Sequence, residues 1–201
     1  MHGRGAYLIS KTFFVISISY LLLILLYSLV LKYLIIVDLL VISVGFVIRA
    51  VAGCLAVNVF ISPWLIICAF LLALFLALGK RRHELILLGE KAKGHRKILE
   101  EYSTEMLDQM IGITSGALII SYSLYTFLAD DSYMMLTIPF AVYGLFRYLF
   151  LVHAKNFGGE TEMIFRDKGM VLCLGLWVVL VVASLYVVPD VVIQLFEGCV
   201  G

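Results

Sequence analysis

At 201 residues, 63% hydrophobic and only 14% charged, the chain departs from an ordinary soluble domain, which is roughly 45–50% apolar and about 25% charged. Such a surplus excludes a water-soluble globular fold, and its apolar runs match the about 20 residues that a helix needs to cross hydrocarbon about 30 Å thick. A formal net charge of +1 offers no global field for nucleic acid, so the placement of the charges matters more than their sum.

The expected fold class is all-α, a polytopic transmembrane helix bundle of six helices in a single transmembrane domain spanning residues 1–201. Residues 1–11 lead into an apolar run too long for a signal peptide, with no small-residue cleavage site, so this run is expected to stay in the membrane. It forms the first helix, 12–31, with Lys32 at its end in LLYSLVLKYLIIVD. The second, 34–57, carries Asp38 and Arg49 inside an apolar run. A turn from Asn58 to Pro63 leads to the third, 63–79, followed by the polar stretch 79–105. The fourth covers 106–128, the Asp130–Asp131 turn separates it from the fifth at 133–153, and the sixth runs from 169 to 188 before Pro189. Gly112 and Gly116 form a GxxxG face, expected to serve helix packing within the chain. The four cysteines show no zinc-ligand spacing, and Cys54, Cys68 and Cys173 read as small buried hydrophobes.

Orientation follows from the positive-inside bias. Loop 79–105 holds Lys80, Arg81, Arg82, Lys91, Lys93, Arg96 and Lys97. Placing it in the cytoplasm also brings Lys32, Lys155, Arg166 and Lys168 to that side. Both termini then face outward, and loop 154–168 is cytoplasmic with loop 79–105.

Several charges exceed what a simple anchor needs. Asp38 and Arg49 lie eleven residues apart, close to three helical turns. They are therefore expected to share a face that looks into the bundle, either as internal ion-pair partners or as part of a wet site. In LALGKRRHELILL a cationic cluster with one carboxylate sits where an apolar helix ends. Lys80 supplies point charge, Arg81 and Arg82 supply forked donors for phosphate, and Glu84, four residues after Lys80, orients those cations or ligates magnesium. A snorkelling membrane anchor fits the same residues. Arg147, near the end of the fifth run with Tyr143 one turn earlier, is a further candidate phosphate ligand. HAKNFGGETEMIFRDK gathers Glu160, Glu162, Arg166 and Asp167 in a short loop. His83, His95 and His153 read as polar boundary residues, and Tyr27, Tyr33, Trp64 and Tyr102 as an interfacial aromatic belt.

The segments YSLVLK, DLLVISVGFVIRAVAG, SPWLIICAFLLALFLALGKRRHEL and RYLFLVHAKNFGGETEMIFRDK resemble, in order, the carboxyl-terminal two thirds of the UbiA superfamily of intramembrane prenyltransferases. The similarity is to its decaprenyl-phosphate phosphoribosyltransferase branch, with GKRRHEL standing where generic members carry a DxxxD motif. The resemblance implies a nine-helix fold of which these six correspond to helices four to nine. It further implies transfer of 5-phosphoribosyl from phosphoribosyl pyrophosphate to a polyprenyl phosphate, releasing pyrophosphate with magnesium, in a cell membrane and toward cell-wall synthesis. Lys80, Arg81 and Glu84 are then expected at the catalytic motif, with Glu84 a magnesium ligand. Lys32, Asp38, Arg49, Arg82, Arg147, Glu160 and Asp167 are expected on the substrates. The family's NDxxD motif does not occur here, so an amino-terminal half that supplies it is an expected partner. Competing readings are a prenyltransferase acting on a ring acceptor, a truncated noncatalytic membrane protein, and a transporter subunit. The basic GKRRHEL weighs against the first, and the lack of paired repeats with broken helices against the last.

Overall fold

The computed structural model describes residues 2–57, 59, 62–88, 101–128, 132–154 and 166–184. Among them are six α-helices and no strand: α1 His2–Leu29, α2 Val37–Ala56, α3 Pro63–Leu88, α4 Thr104–Leu128, α5 Ile138–Ala154 and α6 Lys168–Val182. Two 3-10 segments, Leu31–Tyr33 and Ser132–Thr137, precede α2 and α5. The physical reason for an all-helical chain is that hydrocarbon offers backbone groups no hydrogen-bond partner, so each segment must satisfy its own. Four spans, Val37–Ala56, Pro63–Leu87, Thr104–Leu128 and Tyr133–Ala154, are long and apolar enough to cross a membrane, and Phe13–Leu29 and Lys168–Val182 are shorter apolar helices. The chain is a multi-pass membrane protein.

It divides into two compact units, residues 1–118 and 119–201. In the first, α2 packs against both α1 and α3. Gly45 faces α1, where a methyl group would make ordinary contact with the Tyr20 ring at 3.7 Å. The best-buried apolar side chains are Leu39 of α2, Phe75 and Leu78 of α3, and Leu107 and Ile111 of α4, none more than 1% exposed.

In the second unit, α5 and α6 pack on one another and on the Ser132–Thr137 segment. The Cys173 thiol donates to the Phe140 carbonyl at 3.2 Å, and Gly144 lies beside that sulfur, where a methyl group would make ordinary contact at 3.7 Å. A polar chain is also closed here. Trp177 Nε1 donates to the Tyr122 hydroxyl at 3.0 Å. Because the Thr137 hydroxyl spends its own proton on the Met134 carbonyl, Tyr122 is the donor in the 2.7 Å bond to Thr137. Each link removes a polar group that would be costly to leave unpaired in an apolar interior.

Two expectations need correction. Helix α3 does not end at residue 79 but runs to Leu88, because Lys, Arg, Glu and Leu are good helix formers and an Arg81–Glu84 pair braces the last turns. Its 26 residues extend about 39 Å, more than the hydrocarbon thickness, so an apolar count stops before the helix does. The GxxxG face, moreover, is not used for packing among the described residues: a methyl group at Gly112 or Gly116 would meet nothing within 4 Å. Spacing creates a small face without specifying a neighbour. The other boundaries lie within a few residues of expectation, except that α1 begins at His2; the expected end of α6 at residue 188 lies outside the described residues.

Candidate functional site

The polar end of α3 carries the densest charge network of the first unit. Asp38 stands in the first turn of α2, where the helix dipole favours a carboxylate, and is fully buried. Arg81, 4% exposed, reaches it from α3 through Nη2. The same guanidinium donates through Nη1 to Glu84 Oε2 at 3.2 Å. One buried cation is therefore held by two carboxylates from two helices, the arrangement that makes burial of an arginine tolerable.

A tyrosine completes the cluster. Tyr102, only 5% exposed, donates its hydroxyl proton to Asp38 Oδ1 at 3.2 Å and accepts the Ile36 N–H at 2.6 Å. Burial, with the Asp38 charge adding to it against the Ile36 hydrogen bond, pushes the phenol above its ordinary range. The hydroxyl thus stays protonated and remains a donor. Neighbouring Arg82 faces α4 instead, where both Nε and Nη2 donate to the Asp108 carboxylate, the latter at 3.4 Å. Arg81 Nε and His83 Nδ1 are buried without a hydrogen-bond partner.

These contacts revise several expectations. Arg81 was expected to fork onto phosphate, but its two terminal nitrogens are committed to Asp38 and Glu84. Lys80, on the same turn, is exposed and makes no ion pair among the described residues. Glu84 thus orients Arg81, at i, i+3, rather than Lys80. Tyr102 is not a belt residue, since its ring is buried and its hydroxyl closes the cluster. Asp38 and Arg49 do not look into a common site. Helices cross at an angle, so a face shared over three turns meets different neighbours at its two ends. The Asp38 end meets α3, whereas Arg49 is exposed and lies over the Phe46 and Tyr20 rings at 4.3 and 5.6 Å. Lys32 rests 4.9 Å over the Tyr33 ring, away from any described carboxylate.

In the second unit, Arg147 and Asp167 form a forked pair, Nε to Oδ1 at 3.0 Å and Nη2 to Oδ2 at 2.9 Å. Asp167 also caps α6 by accepting the Met170 N–H at 2.9 Å. Both charges therefore engage each other and the helix start, with the Arg147 guanidinium over the Phe150 ring. Glu160 lies outside the described residues, as do Lys91, Lys93, Arg96, Lys97 and Lys155.

Two residues in the network, Asp108 and Tyr102, escaped sequence reasoning. A usable signal for Asp108 was present: a carboxylate inside an apolar run needs a partner, and an arginine pair ends the preceding span. Tyr102 carried no such signal, because tyrosines near span ends are common. As for metal, no group of three His, Cys, Asp or Glu gathers among the described residues, and Asp38 and Glu84 each give an oxygen to Arg81. Magnesium requires near-octahedral oxygen ligation, and the donor set among the described residues does not fit it.

Comparison with known proteins finds relatives of one name. Over 165 residues the chain is 30% identical to a Corynebacterium glutamicum protein named decaprenyl-phosphate phosphoribosyltransferase, covering 79% of this chain and 49% of that protein. A protein of the same name from Mycolicibacterium smegmatis is 27% identical over 169 residues, 78% of this chain and 53% of its own. One from Mycobacterium tuberculosis is 28% identical over 184 residues, 90% and 61% respectively. The chain thus spans about half to three fifths of the curated relatives it matches. No protein-family profile matches it.

Proposed function

From its homology to the UbiA-type proteins named decaprenyl-phosphate phosphoribosyltransferase, we propose that the chain takes part in moving a 5-phosphoribosyl group from phosphoribosyl pyrophosphate to a polyprenyl phosphate. The observation that carries the reading is the division of labour at the end of α3. Arg81 and Arg82 are each paired with carboxylates, while Lys80 remains an exposed cation beside them. In this reading Lys80 is the catalytic residue that meets the donor's pyrophosphate, and the arginine pairs hold its turn of helix in place.

The reaction needs little proton chemistry from the protein. An anionic oxygen of the lipid phosphate attacks the anomeric carbon, a new C–O bond forms, and the bond to pyrophosphate breaks with its electron pair leaving on the pyrophosphate. Negative charge therefore grows on the leaving group, and a fixed cation beside it lowers the barrier. The lipid acceptor matches a chain whose spans stand in the membrane, and the donor's charged end matches a cationic helix end that outruns the apolar core.

The test uses membranes containing this chain, labelled phosphoribosyl pyrophosphate, polyprenyl phosphate and magnesium. It is run with and without a co-expressed polypeptide bearing the NDxxD motif. Labelled lipid in either arm supports the reading, and product only in the second identifies a divided site. Verified insertion with no labelled lipid in both arms overturns it, and labelled product from an isoprenoid diphosphate and a ring acceptor would replace it with prenyl transfer.

A further inference from the structure

Tyr102 connects three parts of the first unit that the reaction itself does not require to be joined. Its hydroxyl takes the Ile36 N–H and gives its proton to Asp38. Asp38 holds Arg81, and Arg81 holds Glu84. Four side chains and one backbone amide thus run in series from the α1–α2 turn to the polar end of α3.

The turn at the head of this series is strained. Ile36 has φ 66° and ψ −42°, left-handed backbone that a β-branched residue strongly disfavours. The Val37 N–H closes onto the Ile35 carbonyl at 2.7 Å, which makes the segment a γ-turn. Among the described residues it is the sole non-glycine with positive φ. Strain of this kind persists only where surrounding contacts over-determine it, and such places cluster at functional sites. Here the contact at hand is the Tyr102 hydroxyl, which holds the Ile36 amide and, two residues on, Asp38.

Both oxygens of Asp38 are thereby fixed, one by Tyr102 and one by Arg81. Removing the hydroxyl leaves Oδ1 unpaired and the carboxylate free to rotate, and Arg81 then loses the anchor that aims it at Glu84. Tyr102 stands just before α4, so its hydroxyl ties the start of that helix to the α1–α2 turn and, through Asp38, to the cationic helix end. We infer that Tyr102 is a positioning residue of the candidate site: through Asp38 and Arg81 it sets the geometry, and hence the pyrophosphate affinity, of the Lys80-bearing end of α3. This rests on the proposed function in placing pyrophosphate at that end.

The test measures binding of pyrophosphate with magnesium to the full chain in lipid nanodiscs by calorimetry, for wild type, Tyr102→Phe and Ser103→Ala. Ser103 caps the Met106 N–H at 3.1 Å, so its alanine variant loosens the same segment without touching the series. A hydrogen bond to a charged acceptor is strong enough that its loss at a positioning residue can lower affinity by about tenfold, to the extent that the bond holds the binding geometry. The expected result is a loss of that size for Tyr102→Phe, with Ser103→Ala within about twofold of wild type. Equal affinity of Tyr102→Phe and wild type overturns the inference, as does an equal loss in Ser103→Ala, which would make the effect one of segment order alone. Absence of pyrophosphate binding in wild type also overturns it. Tyrosine-dependent binding in a chain that forms no phosphoribosyl lipid would uphold the positioning role and sink the reaction.

Discussion

At the scale of single residues, the site is governed by how one buried guanidinium is neutralised. Asp38→Ala leaves Arg81 with Glu84 alone, and losing one partner of a buried pair costs about 3–5 kcal/mol. The midpoint of SDS-induced unfolding should fall accordingly. The double replacement Asp38→Leu with Arg81→Met should recover most of that loss, because it removes both charges together. The two basic neighbours should also behave differently. Lys80→Ala should abolish labelled-lipid formation at wild-type stability, whereas Arg81→Ala should lose stability and activity together; matching unfolding midpoints for the two variants would contradict the assignment. The sequence showed the residue types of this cluster and missed their pairing. Arg81 and Asp38 are 43 positions apart and Tyr102 and Asp38 are 64 apart, beyond any helical period. A run such as GKRRHEL offers three candidate cations without stating which is enclosed.

At the scale of elements, apolar length located the helices and polar residues obscured their ends. Helices α2 and α4 lie close to expectation because their boundaries coincide with a loss of hydropathy. Helix α3 does not, because its last turns are stabilised by side chains that a hydropathy window counts against a span. At the start of α6, Asp167 has two separable roles, cap and ion-pair partner of Arg147. Asp167→Asn keeps a capping oxygen and gives up the charge, while Asp167→Ala gives up both. The alanine variant should be the less stable by about 1 kcal/mol, with faster amide exchange confined to the first turn of α6. Equal exchange in both variants would show that the ion pair, not the cap, fixes that turn. The sequence revealed Asp167 as a loop charge but could not reveal the cap, which depends on where the helix begins.

At the scale of the whole molecule, the charge asymmetry predicts a topology that labelling can decide. Single cysteines at Lys93 and Glu160 in a chain lacking its native thiols should react with a membrane-impermeant reagent only after the cytoplasmic side is opened; labelling in intact cells would reverse the orientation. The all-helical, multi-pass class was legible because it follows from bulk composition, whereas the use of each helix face was not. The glycines of α4 illustrate this, and they offer a clean genetic probe. Since a methyl group at Gly112 or Gly116 meets nothing within 4 Å among the described residues, alanine should raise intrinsic stability by about 0.5–1 kcal/mol per site through helix propensity. Bulkier residues at these two positions then separate autonomy from context: a leucine variant that unfolds normally yet loses activity would report a requirement located outside the described residues.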